Sequence, residues 1–433
     1  VSKKQKSLSN LEIVEAIESL SQSLAKPVEK VSLRDLQEFG VAERQIRNHG
    51  GLAKIKALFF PDAEKDLKSI AKATKENNYQ SKIEKQLGNK LALEESILEA
   101  VVSMIRPLTK IKAPKSGKVK KGTLPVEVVG MLNDTHIGLI VDPEEIGGAN
   151  SFDFKEACRR FAFYGKQLAE YKSHKRNSVS KLHLVLNGDL LAGLIHGLET
   201  KGIHLMVHQV NAAVHIFTHL VSYLANHYPV IEVHGIAGNH DRVIHKDGGK
   251  RPVSEVYDSY ANIIFYALSA AFRNSKQITF NFPKTAYGFI NLPAGRAMYA
   301  HGDHIFSTPL GNPGRSINIK GMSEAIRDFN AGEISKGNKP VKLMLFGHVH
   351  TFAHFITNDG VEVYVSPSLV GLDAFAHSLT INNNFLAQPI FESTKDFILG
   401  DSRLIRLNAA DNDNSLDKII PVYEKELKYG GNK

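Results

Sequence analysis

Short apolar runs alternate with longer stretches of three-to-four-residue apolar periodicity from residue 125 onward. Val126–Leu132, Leu182–Leu186 and Val230–Ile236 read as buried strands, and residues 152–173, 204–227 and 254–273 as helices. Later runs at Ile278–Phe282, Arg296–Ala300, Val341–Phe346 and Val361–Ser366 have strand length and β-branched or aromatic content. Strands alternating with helices predict an α/β domain, and the late strands predict a second sheet packed on the first. Residues 374–433 read as loops, a strand or two, and a tail.

The front of the chain has a different texture. Leu11, Ile13, Val14, Ile17, Leu20 and Leu24 share a face of a helix over residues 10–25, which Pro27 ends. Ser32 is placed to cap a second helix closed by Gly40, a third runs from Ala42 to His49, and a fourth stops at Pro61. Short helices joined by a glycine-containing turn predict a helix-turn-helix-like domain over residues 1–61. Arg44, Gln45, Arg47 and Asn48 on the third helix are then the side chains expected to face DNA. The segment from Ser32 to Phe59 resembles small DNA-binding modules found beside phage and homing nucleases. Residues 62–123 read as a helical arm followed by a basic linker, and residues 124–433 as the α/β domain.

Charge sharpens this division. The chain carries a formal +9. Residues 1–123 hold 24 Lys and Arg against 15 Asp and Glu, so the remainder is neutral. A localised positive charge suits a polyanion, because each phosphate neutralised releases counterions. No run of about 18 uncharged apolar residues appears, so no membrane span is expected. The basic start lacks an apolar stretch behind it, and Cys158 is the one cysteine. Both fit a cytoplasmic protein, in the host cytoplasm were the chain phage-encoded. A lone cysteine also leaves any metal to His, Asp, Glu or Asn.

Five polar clusters follow five of the strands. They are Asp134-Thr135-His136, Gly188-Asp189, Gly238-Asn239-His240-Asp241, His301-Gly302-Asp303-His304 and Gly347-His348-Val349-His350. Ligands gather at the carboxyl ends of strands in open α/β sheets, so the clusters are expected to meet on one rim. In D-x-H and H-x-H, alternation along an extended segment would send both side chains the same way. Gly188 lets the backbone turn sharply before Asp189. Among the other histidines, His183 and His234 lie inside strands and are expected to be structural. His174, His215, His219 and His227 fall on helices. His304 would stand outside the ligand set, Asp303 and Asp241 would orient other groups, and His196 and His204 would be close enough to touch substrate.

D-x-H, G-D, G-N-H-D, H-G and G-H-x-H in this order resemble the calcineurin-like metallophosphoesterases, over residues 126–368. The resemblance implies a four-layer sandwich of two mixed sheets flanked by helices, and two divalent metals, commonly manganese, with iron or zinc in some members. It implies that Asp134, His136, Asp189 and His350 hold the first metal. Asp189, Asn239, His301 and His348 would hold the second, and His240 would be the acid near the leaving group. Two such cations share a hydroxide and clamp the attacking and leaving oxygens of a phosphodiester.

The phosphoprotein phosphatases of this superfamily continue G-D-x-x-D-R-G, whereas this chain has Ala192 and Gly193 where the acid and arginine stand. That argues against phosphoprotein substrates and leaves the orientation of His240 to His196 or Asp241. The G-D-L and G-N-H-D segments resemble SbcD-type and phage exonuclease-like members. The expected activity is therefore metal-dependent cleavage of DNA phosphodiesters. Hydrolysis of small nucleotides, or DNA binding around an inactive metal centre, are the alternatives.

Overall fold

The computed structural model describes residues 10–25, 30–38, 41, 43–48, 51–59, 125–174, 178–194, 203–243, 258–311, 316–373, 377 and 385–423. They belong to two compact units, one within Val1–Ile97 and one within Leu98–Lys433. The expected arm and linker of residues 62–123, and His196, lie outside the described residues.

In the first unit four helices, Asn10–Ser23, Leu33–Glu38, Glu43–Asn48 and Leu52–Phe59, enclose a small core of Ile13, Ile17, Leu20, Val31, Leu36, Val41, Ile46 and Ile55. Ser32 caps the second helix as its sequence predicts. Its hydroxyl accepts from the Asp35 amide at 3.2 Å, and Asp35 Oδ2 accepts from the Ser32 amide at 2.7 Å. On the short third helix Arg47 is exposed and ion-paired with Glu43, one turn back. The side chains of Arg44, Gln45 and Asn48 lie outside the described residues.

The second unit is built on two mixed sheets. We number its strands β1 (Pro125–Leu132), β2 (Ser178–Asn187), β3 (Ile231–Ile236), β4 (Ile278–Asn281), β5 (Tyr287–Leu292), β6 (Gly295–Ala300), β7 (Val341–Phe346), β8 (Ala353–Ile356), β9 (Glu362–Val365), β10 (Ala387–Ser393) and β11 (Ser402–Arg406). The first sheet has the order β11-β10-β1-β2-β3-β4 and the second β5-β6-β7-β9-β8. β1 to β4 run parallel, as do β6, β7 and β9. The apolar runs are continuous because both faces are covered. Val126, Val128 and Leu132 of β1 pack under the helices Phe154–His174 and Met206–Ala225, while Val129 and Met131 face the other sheet. Leu343, Leu345, Tyr299 and Tyr364 meet them from the second sheet. That sheet's outer face, including Met344 and Phe346, packs on Met322 and Ile326 of the helix Ile319–Ser335. The result is the four-layer arrangement expected, with helices outside two facing sheets.

Candidate metal centre

β1, β2 and β3 are mutually parallel, as are β6 and β7, and their five carboxyl ends reach one rim between the sheets. Asn187 Nδ2 donates to the Ala300 carbonyl at 2.9 Å, and the Gly347 amide to the His301 carbonyl at 3.1 Å. These bonds lock β2, β6 and β7 together where the polar clusters begin.

The sequence-predicted donors meet there. His136 Nε2 lies 3.2 Å from His350 Nε2, and His350 Nε2 lies 3.4 Å from Asp134 Oδ1. His301 Nε2 lies 3.2 Å from both Asp189 Oδ2 and Asn239 Oδ1, and its ring sits 5.1 Å from that of His348. Two donors bound at 2.0–2.1 Å to one tetrahedral ion stand about 3.3 Å apart, so this spacing suits ions held between them. Asp134 with His136 and His350, and Asp189 with His301 and His348, form two groups with the donor types and proximity for metal binding.

The mechanism of convergence differs from the alternation expected of D-x-H and H-x-H. Asp134, His136, Asp189, His348 and His350 all have positive φ, between 38° and 70°, and follow rather than continue their strands. Left-handed backbone costs a non-glycine residue of order 1–3 kcal/mol each, a strain that concentrates at functional sites. Backbone donors hold the turns. The His348 amide donates to Asp134 Oδ2 at 3.0 Å and the His240 amide to Asp189 Oδ1 at 2.8 Å. Gly188 is required as expected, since a Cβ there would lie 2.6 Å from the His301 ring.

Electrostatics keep two buried carboxylates ionised at the rim. Burial opposes ionisation of Asp134 and Asp189, but His350 beside the first and His301 beside the second outweigh it, and both carboxyls sit below their ordinary range. Burial pushes His348 down to about 4, and burial with the neighbouring His240 holds His136 well below the ordinary imidazole value. Burial works against charge on His301, yet Asp189 raises it well above that value. His301 Nδ1 donates to the Asn187 carbonyl at 3.0 Å, which turns Nε2 toward the carboxylates.

His240 stands at the edge of the cluster, its ring 4.6 Å from His136 and its Nε2 3.9 Å from Asp189 Oδ2. His196 lies outside the described residues, and among those described it is not Asp241 that holds the His240 ring. Its Nδ1 donates to the Ala192 carbonyl at 2.8 Å, so a backbone oxygen acts where the phosphatase pattern has an acid. Asp241 instead accepts from the Gly238 amide at 2.9 Å and the Leu191 amide at 3.0 Å, and burial with Asp189 nearby pushes its carboxyl up to about 7. Gly193 has φ +69°, and a Cβ there would fall 1.9 Å from the His240 carbonyl oxygen. Gly193→Ala should therefore cost about 1–3 kcal/mol, read as a lowered Tm together with reduced turnover. An unchanged Tm would remove this explanation of the glycine.

Other partners escaped sequence reasoning. Arg242, directly after G-N-H-D, pairs with Asp303 and reaches His304 Nε2 at 2.8 Å. Gln388 of β10 accepts from the Asn133 amide at 2.8 Å and donates to the Pro367 carbonyl at 2.8 Å, bracing the turn before Asp134. A polar residue inside an apolar strand was the available signal. His204 stacks on Phe154, ring centroids 4.0 Å apart.

No curated protein sequence matches this chain. Among solved structures, it is similar to a predicted phosphoesterase of Streptococcus pneumoniae, with 10% identity over 65% of this chain and 98% of that one and a TM-score of 0.25. A dimetal phosphatase from Danio rerio matches at 9% identity over 65% and 99% of the two chains, with a TM-score of 0.31. A phosphopantetheinyl hydrolase from Mycobacterium tuberculosis matches at 11% identity over 57% and 91%, with a TM-score of 0.25. The calcineurin-like phosphoesterase family model matches residues 128–352, more than half of the chain and the whole stretch from β1 to the last histidine cluster. The chain belongs to the calcineurin-like phosphoesterases, a family of metal-dependent phosphoester hydrolases that bind two divalent metals.

Proposed function

We propose that the protein is a two-metal phosphodiesterase that cleaves DNA. The observation that carries the reading is the meeting of all seven expected donors on one rim at ion-binding separations. In this reading Asp134, His136, Asp189 and His350 hold one ion. Asp189, Asn239, His301 and His348 would hold the other, so Asp189 is common to both sets. The donor set, oxygen and imidazole nitrogen without thiolate, suits manganese, with iron or zinc as alternatives. Bound there, the ions supply Lewis-acid charge and lower the pKa of water.

The chain's own residues do the rest. With Nδ1 committed to the Ala192 carbonyl, His240 exchanges a proton at Nε2, the atom that protonates the departing alkoxide. Arg242 adds a cation beside the Asp303–His304 pair. The choice of DNA rests on the +9 charge of residues 1–123, on the helix-turn-helix-like order of the first unit, and on Ala192 and Gly193 in place of the phosphatase acid and arginine. The test incubates the full chain with manganese and labelled single- and double-stranded DNA, beside a cyclic mononucleotide. Cleavage of DNA, with binding that weakens steeply as salt rises, is the expected result. Turnover of the mononucleotide alone would replace this reading with a small-nucleotide phosphodiesterase. Salt-sensitive binding without cleavage would replace it with a DNA-binding protein.

A further inference from the structure

Away from the rim, a cluster of titratable side chains enters the largely apolar layer between the sheets. Glu127 shares a face of β1 with Val129, His183 shares a face of β2 with Val185, and Glu232 and His234 share a face of β3 with Ile236. These polar residues stand five to seven positions before Asp134, Asp189 and Asn239. At ~3.3 Å per residue that is at most roughly 16–23 Å from the metal rim.

Their donor atoms converge. His183 Nδ1 lies 3.1 Å from His234 Nε2 and 3.4 Å from Glu232 Oε2, and the three ligand atoms lie within 4.8 Å of one another. These separations bracket the ~3.3 Å edge of a tetrahedral zinc site. The second nitrogen of His183 faces Glu127 Oε2 at 2.8 Å. A carboxylate that accepts this Nε2 proton leaves Nδ1 with a lone pair, the usual arrangement behind a metal-bound imidazole. In that tautomer the Nδ1 lone pair faces His234 Nε2 at 3.1 Å and Glu232 Oε2 at 3.4 Å, and a cation would take the place of the proton that His234 shares with it. Asn281 Nδ2 donates to His234 Nδ1 at 3.4 Å, so Nε2 is the nitrogen that faces His183 and would ligate. The side chains of Glu127 and Glu232 are 19% and 30% exposed, so the cluster opens to solvent for an entering ion. Lys181 Nζ lies 3.4 Å from Glu232 Oε2, and an ion would compete with it for that oxygen.

We propose that His183, His234 and Glu232 form a third, mononuclear site for a zinc-type divalent ion, braced by Glu127 and tying β2 to β3 at the end of the sandwich away from the rim. The competing arrangement is a metal-free hydrogen-bonded chain, from Asn281 through His234 and His183 to Glu127, which takes up no ion. The test strips the full chain with chelator, reloads it with zinc, removes free metal and counts ions by mass spectrometry. Three per chain are expected, with one fewer in His234→Gln and in Glu232→Gln. Should His234→Gln fail to fold, the half-exposed Glu232→Gln gives the same readout with less disturbance of packing. Cobalt in place of zinc should add a tetrahedral visible absorption that persists in Asp189→Asn and vanishes in Glu232→Gln. An ion count that neither substitution lowers overturns the third site and leaves the proposed function standing. A single ion lost in Glu232→Gln but retained in Asp189→Asn upholds it while removing the two-metal centre.

Discussion

Asp189→Asn should abolish phosphodiester hydrolysis, by about 10³-fold or more, which corresponds to ~4 kcal/mol of transition-state stabilisation. Asp189 is 1% exposed, its Oδ2 lies 3.2 Å from His301, and its Oδ1 accepts from the His240 amide. Within the proposed centre it is the one carboxylate assigned to both ions, so neutralising it weakens both. It also removes the charge that raises His301. The fold should survive, because the amide can keep the bond from His240. The check is steady-state turnover of bis(p-nitrophenyl) phosphate and of DNA, with circular dichroism to show retained structure. Activity within tenfold of wild type would remove Asp189 from the centre.

His240→Gln should lose about 10²–10⁴-fold on DNA, the range of general acid catalysis. The loss should be far smaller on bis(p-nitrophenyl) phosphate, whose leaving group departs without a proton. This contrast separates a proton donor from a residue that merely shapes the site. The structure motivates it through one bond: Nδ1 is held by the Ala192 carbonyl, so Nε2 is the exchanging atom. Equal losses on both substrates would assign His240 to positioning instead.

What could be read from the chain, and what could not, follows from where the information sits. The strands carrying the site are buried on both faces, so they stand out as uninterrupted apolar runs, and the residue after each run is the chemistry. β5, β8 and the helix Ile319–Ser335 were not anticipated. The helix has Gly321 and Gly332 within it and buries chiefly Met322 and Ile326, too thin a stripe to mark its period. The four residues of β8 are all partly exposed or exposed. The ligand residues converge by left-handed turns rather than by strand alternation, and φ leaves no trace in D-x-H. The partner of His240 is a main-chain carbonyl, whose role no side-chain identity announces. Gly193 beside it lacks the Cβ that would collide with the His240 carbonyl. Within the small helical unit Ser32 and the first-helix core positions Ile13, Ile17 and Leu20 were legible, whereas Leu24, expected on the same face, is 45% exposed past the helix end.

Crystals of the full chain soaked in manganese, with diffraction collected near the manganese absorption edge, test the central claim most directly. Two anomalous peaks should appear at the rim, one among Asp134, His136, Asp189 and His350 and the other among Asp189, Asn239, His301 and His348. A rim without anomalous density at saturating manganese, or peaks that leave these seven side chains untouched, would contradict it.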